Sequence, residues 1–508
     1  MFFTSRTDLF TSKWLIPSLG VLPFLILPVT LLFAPDKMLR DPGVGWHLAA
    51  GHYMLDHLVI LDHDIFSFSQ QGQPWVTMEW LFQCFAATLD KIGGLPLVSV
   101  VAALIYGSLP IMLYKNMIKK NVNIYLALVM IFVVFFGLSG HCHARPHIFT
   151  YFFFIILTDK VFSYDRNEIS TASLFSFIPV MIFWCNLHGG FLVAIACAGL
   201  AFLVSLYQFL RFRQKKDRDK TKVFFLLGLG ITLATLVNPL GWNLHISLFK
   251  VLSSDLLHQW NEFASPDFNS GSLDETLFLF LILGFFLILY WKKNEITVLE
   301  ITFLLFFLYQ SLHAVRHMFL FFLLAIPIMA RELTDLISSH DNRFTRRSEM
   351  ILAEQKQIKG DRIYIPIMCG IFIILSLAYP TLFKNDFYSS KRLTSDAGRY
   401  IEQNMDRFKR PFNTMDIGGA LIYHFWPGIH VFADDRLDYY GDDFFNKHYM
   451  PVVKIKQDWA QVLVDNQIDS AIITSTALAA LLKESPDWEI VFEEENSYVF
   501  ERVHDPDL

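Results

Sequence analysis

The stretch "RDPGVGWHLAAGHYMLDHL", residues 40–58, directly follows the first long apolar run of the chain and carries Asp41, His47, His52, Asp56 and His57. Ionisable groups at a membrane boundary are costly, and they usually mark a substrate path or a reaction centre. Their position at the mouth of the first apolar segment therefore predicts a functional site beside the membrane.

The whole chain is unusually apolar. Of its 508 residues 54% are hydrophobic, 51 are phenylalanine, and the mean hydropathy is +0.39. Soluble globular domains contain a smaller apolar share, so this composition predicts an integral membrane protein. The net charge of −6 is uneven, because residues 391–508 carry 12 Lys+Arg against 21 Asp+Glu. An acidic C-terminal segment argues against nucleic acid as a partner.

Apolar runs long enough for membrane helices recur along residues 1–383. A hydrocarbon core about 30 Å thick needs roughly 20 apolar residues for one crossing. Eleven candidate spans lie near 14–33, 95–114, 123–139, 147–164, 172–187, 189–210, 223–237, 276–291, 296–312, 315–330 and 363–383. The expected fold is an all-α polytopic membrane domain with about eleven transmembrane helices.

Lys and Arg in the loops predict the orientation. With the N-terminus in the cytoplasm, the inner segments hold 23 Lys+Arg and the outer segments hold 6. Cytoplasmic loops carry such an excess of positive residues. The expected location is a multi-pass cytoplasmic membrane, with the C-terminal part on the outer side.

This topology collects the polar candidates on the outer side. The first outer loop, 34–94, should contain two interfacial helices, one over Gly43–Leu58 and one leading to the Gly93-Gly94 break. Because the loop is entered through Asp41 and left through Glu79, two carboxylates come to one membrane level. The outer groups expected to share a cavity are Asp41, His47, Asp64, Glu79, His143, Arg145, His188, Arg316 and His317.

Residues 384–508 mix charged residues with short apolar runs, which predicts a small soluble α/β domain with a partly parallel sheet. The loop "FADDRLDYYGDD", 432–443, contains Asp434, Asp435 and Asp438 after a predicted strand. Two interpretations stay open for this loop: a solvated acidic surface or a ligand site.

Several of these segments resemble the signature blocks of a group of bacterial multi-spanning membrane proteins: "DPGVGWHLAAG", "ARPHIFT", "NLHGGF", "NPLGW" and "VFADDRLDYYG". That group is in turn remotely similar in layout to the GT-C glycosyltransferases, which use polyprenyl-phosphate sugars. The resemblance implies a lipid-linked sugar donor, an extracytoplasmic glycan, lipid or protein acceptor, and a bacterial inner membrane. It also implies that an acidic residue after the first span acts on the acceptor. Asp41 occupies that position, although Asp41-Pro42 replaces the pair of acids common there.

Glycosyl transfer from a lipid phosphate needs a base near the acceptor hydroxyl and positive charge on the departing phosphate. We assign Asp41 as the base, with Glu79 or Asp64 as the second carboxylate. Arg145 and Arg316 are assigned as phosphate ligands, since a guanidinium matches phosphate oxygens. The hydrogen-bonding imidazoles would be His47, His143, His188 and His317. A single displacement would invert the anomeric configuration.

Other interpretations stay open. Asp41 could start the helix after Pro42, Glu79 could complement a helix dipole, and the two arginines could snorkel to lipid headgroups. The sequence identifies no cofactor, although the segment "HCHARPH", 141–147, and the spacing of His313 and His317 leave a divalent metal as an alternative. At the level of function, a transporter or flippase of lipid-linked glycan and a non-catalytic envelope-assembly protein are the alternatives to a transferase.

Overall fold

A computed structural model describes residues 13–254, 261–291, 296–338, 343–383, 387–388 and 392–503, without the side chains of Ser139, Asn261 and Asp438. The chain is mostly helical, with a small sheet near its C-terminus. The helices up to residue 383 are α1 (Val21–Thr30), α2 (Gly43–His57), α3 (Trp80–Lys119), α4 (Ile124–Gly137), α5 (His147–Asp165), α6 (Thr171–Phe175), α7 (Ile178–Leu187), α8 (Leu192–Phe212), α9 (Lys215–Ala234), α10 (Asn243–Leu252), α11 (Leu273–Trp291), α12 (Val298–His313), α13 (Met318–Ser338), α14 (Arg343–Gln357) and α15 (Asp361–Ala378).

The apolar helices agree with a membrane protein. Among the described residues, four helical segments are long and apolar enough to cross a membrane: Trp80–Lys119, Gly189–Phe212, Leu273–Trp291 and Asp361–Ala378. Other predicted spans correspond to shorter helices, such as α1 with 10 residues and α4 with 14. The span predicted over 172–187 is divided between α6 and α7. The prediction of eleven transmembrane helices is therefore not confirmed.

The predicted helices of the first loop are present. Pro42 precedes α2, and Leu58, with a left-handed backbone (φ 55°), ends it. Helix α3 has non-helical angles at Gly93 and Gly94, and the φ of +66° at Gly94 is one that glycine adopts without strain. The break separates Trp80–Ile92 from the long apolar part of α3, as the sequence predicted.

The C-terminal part contains a four-stranded sheet. Its remaining elements are α16 (Ser395–Gln403), β1 (Pro411–Asn413), α17 (Met415–Phe425), α18 (Leu437–Phe444), α19 (Met450–Val453), α20 (Trp459–Asp465), β2 (Ser470–Ile473), α21 (Thr476–Glu484), β3 (Trp488–Glu494) and β4 (Ser497–Arg502). The strand order is β1-β2-β4-β3, with β1 parallel to β2 and the other pairs antiparallel. The partly parallel sheet is as predicted.

The first loop and the C-terminal part form one packed unit. The segment around Val431 pairs with the first loop instead of joining the sheet: its N–H donates to the carbonyl of Phe66 (3.0 Å), and its carbonyl accepts from the N–H of Phe68 (3.1 Å). One apolar cluster combines loop residues such as Trp46 and Phe66 with C-terminal residues such as Leu421. This docking brings the loop 432–436 beside the start of α2.

Candidate active site

A guanidinium shared by two carboxylates forms the centre of the site. Nη1 of Arg145 donates to Oδ1 of Asp41 at 2.9 Å and lies 3.3 Å from Oδ2 of Asp435. The side chains of Asp41, Arg145 and Asp435 remain 21%, 24% and 17% exposed. A ligand can therefore reach all three.

Local structure orients both acids. Oδ1 of Asp41 also accepts the N–H of Gly43, the first residue of α2, at 2.9 Å. This contact ties Asp41 to the start of α2, and its catalytic role stays a prediction. Oδ1 of Asp435 accepts the indole N–H of Trp46 at 2.7 Å. The N-terminal turn of α2 thus positions an acid from the first loop and an acid from the C-terminal part.

The electrostatics of the two carboxylates differ. Burial acts to raise the pKa of Asp41, but Arg145, His143 and the N–H of Gly43 outweigh it and lower that pKa. Burial raises the pKa of Asp435 to about 7, and Asp41 and Asp434 add to this effect while Arg145 opposes it. The pKa of Arg145 is raised, because the two carboxylates outweigh its burial. At pH 7 Asp41 is therefore ionised and Asp435 is about half protonated.

Glu79 lies between two imidazoles. Its carboxylate oxygens are 3.5 Å from Nε2 of His47 and 3.5 Å from Nε2 of His188. Nδ1 of His188 accepts the N–H of Gly190 at 3.2 Å, which leaves the ring proton on Nε2, facing Glu79. Nε2 of His47 is buried and has no hydrogen-bond partner. The predicted grouping of these three residues is therefore present.

The loop 140–146 carries Arg145 and His143 into the site. Burial lowers the pKa of His143 to about 4, so this imidazole is neutral at physiological pH. The hydroxyl of Tyr106 on α3 donates to the carbonyl of His141 at 2.7 Å and lies 2.8 Å from Nε2 of His147. These contacts hold the loop against α3 and α5.

Arg316 and His317 lie at the turn between α12 and α13. The guanidinium of Arg316 stacks on Phe263 at 4.4 Å and forms no ion pair with any residue that the structure describes. It is close enough to His188 and His141 to act on their charge. Nδ1 of His317 lies 3.2 Å from the carbonyl of Gln310. Arg316 is therefore a positive group of the site with free hydrogen-bonding capacity.

Asp64 belongs to a separate ion cluster between the first loop and the C-terminal part. Nη1 of the fully buried Arg436 donates to Asp64 at 2.7 Å, and its Nε and Nη2 donate to Asp434 at 2.8 and 2.7 Å. Asp64 also accepts the hydroxyl of Ser67 at 2.5 Å. This arrangement favours a structural role for Asp64 over its predicted role as a second catalytic carboxylate.

An apolar pocket adjoins the centre. It lies between α3 and α5. Its wall consists of apolar side chains, including Phe82, Phe85, Val101 and Phe149, with Arg145 as the one charged residue of the lining. The site thus combines an apolar pocket with a cation in its lining.

The sequence does not predict that Asp435 lies beside Arg145. The acidic loop 432–443 leaves a ligand site open, but its spacing gives no sign that Asp435 reaches Arg145, nearly three hundred residues away. The side chain of Asp438 lies outside the described residues. In the described ranges no three His, Cys, Asp or Glu side chains are grouped as metal ligands, so the metal alternative at His313 and His317 gains no support.

Solved structures resemble the whole chain. The oligosaccharyltransferase AglB from Archaeoglobus fulgidus, in complex with an inhibitory peptide and a dolichol-phosphate, has a TM-score of 0.53, with 10% identity over 94% of this chain and 74% of AglB. AglB tethered with an acceptor peptide gives a TM-score of 0.52, with 11% identity over 95% of this chain and 74% of AglB. ArnT from Cupriavidus metallidurans, bound to undecaprenyl phosphate, gives 0.50, with 12% identity over 95% of this chain and 98% of ArnT.

The chain is similar in fold to AglB and ArnT. This confirms the remote resemblance predicted from its layout. No protein-family model and no curated protein matches the sequence. At 10–12% identity the likeness establishes the fold alone, and the chemistry has to be argued from the residues of this chain.

Proposed function

We propose that the protein is a membrane glycosyltransferase that moves a sugar from a polyprenyl-phosphate carrier to an acceptor hydroxyl outside the cytoplasm. The observation that carries the proposal is the apolar pocket that has Arg145 in its lining, beside Asp41 and Asp435. A polyprenyl chain needs an apolar cleft, and its phosphate needs a cation at the end of that cleft.

Different side chains of the site bind the carrier phosphate and the acceptor hydroxyl. Arg145 lines the pocket and already contacts two carboxylates through Nη1, and Arg316, without an ion pair among the described residues, is assigned with it as a second phosphate ligand. The neutral imidazoles of the site supply hydrogen bonds to the sugar or the phosphate. The carboxylate of Asp41 accepts a hydrogen bond from the acceptor hydroxyl. Attack on the anomeric carbon opposite the phosphate inverts its configuration.

The predicted orientation belongs to the same proposal. The site lies at the end of the helix bundle where α7 and α12 finish and α5 begins. The loop charges predict that this end faces away from the cytoplasm, together with residues 384–508. The protein would then act at the outer face of a bacterial inner membrane.

Binding of the carrier is the first test. The full chain, in nanodiscs, is titrated with undecaprenyl phosphate and with undecaprenol, which lacks the phosphate, and bound lipid is measured by native mass spectrometry. We expect selective binding of the phosphate form that weakens in Arg316→Ala. Equal binding of both lipids would contradict the assigned phosphate site.

Transfer is the second test. The wild-type protein is incubated with a panel of labelled undecaprenyl-phosphate sugars and an envelope extract as acceptor. We expect label to leave the carrier and become covalently bound to an acceptor. Movement of intact lipid-linked sugar across the bilayer without bond formation would instead support a flippase.

A further inference from the structure

We propose that Asp435 is a further catalytic residue of this site and accepts the proton of the acceptor hydroxyl. Asp41, predicted from the sequence as the base, would remain ionised and hold both Arg145 and the hydroxyl in place. This inference rests on the proposed function. It makes the C-terminal part of the chain a contributor to the chemistry.

The charge balance of the centre supports this assignment. Two carboxylates within 3.3 Å of one guanidinium nitrogen leave one negative charge uncompensated if both are ionised. In a site that is mostly withdrawn from water, such an excess charge is unfavourable, so one carboxyl tends to bind a proton. The raised pKa of Asp435, about 7, identifies it as that group.

The donors around each acid distinguish their roles. Oδ1 of Asp41 accepts from both Arg145 and the N–H of Gly43, which favours the ionised form and weakens it as a base. Asp435 accepts a neutral indole N–H on one oxygen and shares the guanidinium on the other at the longer distance of 3.3 Å. A base works best when its pKa lies near the working pH.

Neighbouring acids are less suited to the task. Asp434 is fully buried, and its oxygens accept from Arg436 and from the hydroxyl of Tyr440 at 3.0 Å. Glu79 lies between His47 and His188. Asp435 is 17% exposed and therefore open to a bound acceptor.

Gly43 provides the space that Asp435 needs. A Cβ atom at this position would lie 2.7 Å from Oδ2 of Asp435 and 2.9 Å from Cζ of Arg145. Any larger residue would therefore displace the two side chains from each other. The close approach of α2 to the carboxylate depends on glycine here.

The proposed transfer forms one bond at the anomeric carbon and breaks another. The acceptor oxygen forms a bond to the anomeric carbon, and its proton passes to the carboxylate of Asp435. The bond between that carbon and the phosphate oxygen breaks, and its electron pair leaves with the polyprenyl phosphate. Asp435 then releases the proton to solvent, and no redox partner or further reactant is needed.

The test compares Asp435→Asn with Asp406→Asn, a matched change at an exposed acid of the same region. For Asp435→Asn we expect kcat to fall about 10²- to 10⁴-fold, the range found for a lost general base. The Kd for undecaprenyl phosphate should change less than about threefold, and the rise of kcat through pH 7 should disappear. Asp435→Glu should recover part of kcat if it elutes as a folded protein. Unchanged kcat with the wild-type pH profile in Asp435→Asn would overturn the proposal.

A second measurement does not depend on transfer. Infrared difference spectra of the wild-type protein should show a protonated carboxyl band that titrates near pH 7. The band should be missing in Asp435→Asn and present in Asp406→Asn. If the wild type transfers no sugar, the proposed function fails while this band still reports on the shared proton. If the band is absent from the wild type, the role of Asp435 fails even though transfer occurs.

Discussion

Gly45 of α2 and Gly419 of α17 are in direct backbone contact. A Cβ atom at Gly45 would overlap the carbonyl oxygen of Gly419, and one at Gly419 would overlap the carbonyl oxygen of Pro42. The two helices cross at the turn that carries Asp41 and Trp46. The docking of the C-terminal part therefore fixes the same turn that orients both acids.

Gly419→Ala should disturb this crossing. The added methyl group has no space, so we expect a loss of about 1–3 kcal/mol of stability, the usual range for overpacking. Thermal unfolding of the purified protein measures the loss. Gly199→Ala is the matched control, because nothing lies within 4 Å of a Cβ there. Equal unfolding temperatures for the two variants would contradict the close contact.

Arg436→Met should be strongly destabilising. The change leaves Asp64 and Asp434 buried without their cation, and breaking such a buried pair typically costs about 3–5 kcal/mol. We expect a lower unfolding temperature and faster proteolysis of the first loop. Arg399→Met removes an exposed ion pair with Asp396 and should cost about 0–1 kcal/mol.

Asp41→Asn and Asp64→Asn should behave differently. The first removes a charge from the accessible centre, and we expect kcat to fall at least about 10²-fold while stability changes little. Because the charge of Asp41 raises the pKa of Asp435, its loss should also shift the rise of kcat with pH, which is assigned to Asp435, to lower pH. Asp64→Asn should reduce stability, because it weakens the buried contact with Arg436. A catalytic defect in Asp64→Asn with normal stability would restore its predicted catalytic role.

Arg316→Ala should weaken carrier binding. Loss of a charged hydrogen bond costs about 1.5–3 kcal/mol, which corresponds to a roughly 10- to 100-fold increase in the Kd for undecaprenyl phosphate. Arg316→Lys should recover part of this loss, since it keeps the charge without the planar fork. The control is Arg211→Ala, which removes an exposed arginine at the end of α8. A similar Kd for both alanine variants would exclude Arg316 as the phosphate ligand.

Stability should depend on pH through Asp435. Its pKa in the folded protein, about 7, is above that of an unfolded aspartate, near 4, so the folded state binds more protons between these values. The stabilisation from this group is therefore complete below about pH 4 and is lost as the pH rises through about 7. The unfolding temperature of Asp435→Asn minus that of the wild type should therefore increase from pH 5 to pH 8. A difference that is constant over this range would contradict the raised pKa.

Much of the fold follows from local sequence properties. Apolar content determines that the chain is a membrane protein, and the Gly93-Gly94 pair determines where α3 breaks. The alternation of short apolar and charged runs identifies the C-terminal α/β part, whose sheet is partly parallel as expected. These features depend on a few neighbouring residues and on the solvent they face. The number of membrane crossings does not follow from local sequence, since a short apolar helix has the same pattern whether or not it spans a bilayer.

The composition of the site was decided by tertiary structure. The sequence predicted Asp41, Arg145, Glu79, His47 and His188 on one side of the membrane. The structure places Asp41 against Arg145, and Glu79 within 3.5 Å of His47 and His188. The sequence alone could not tell that Asp64 pairs with Arg436 and that Asp435 contacts Arg145. Both acids lie in polar loops with similar local patterns. Which acid lies beside Arg145 depends on the docking of α17 against α2, a contact between segments nearly four hundred residues apart.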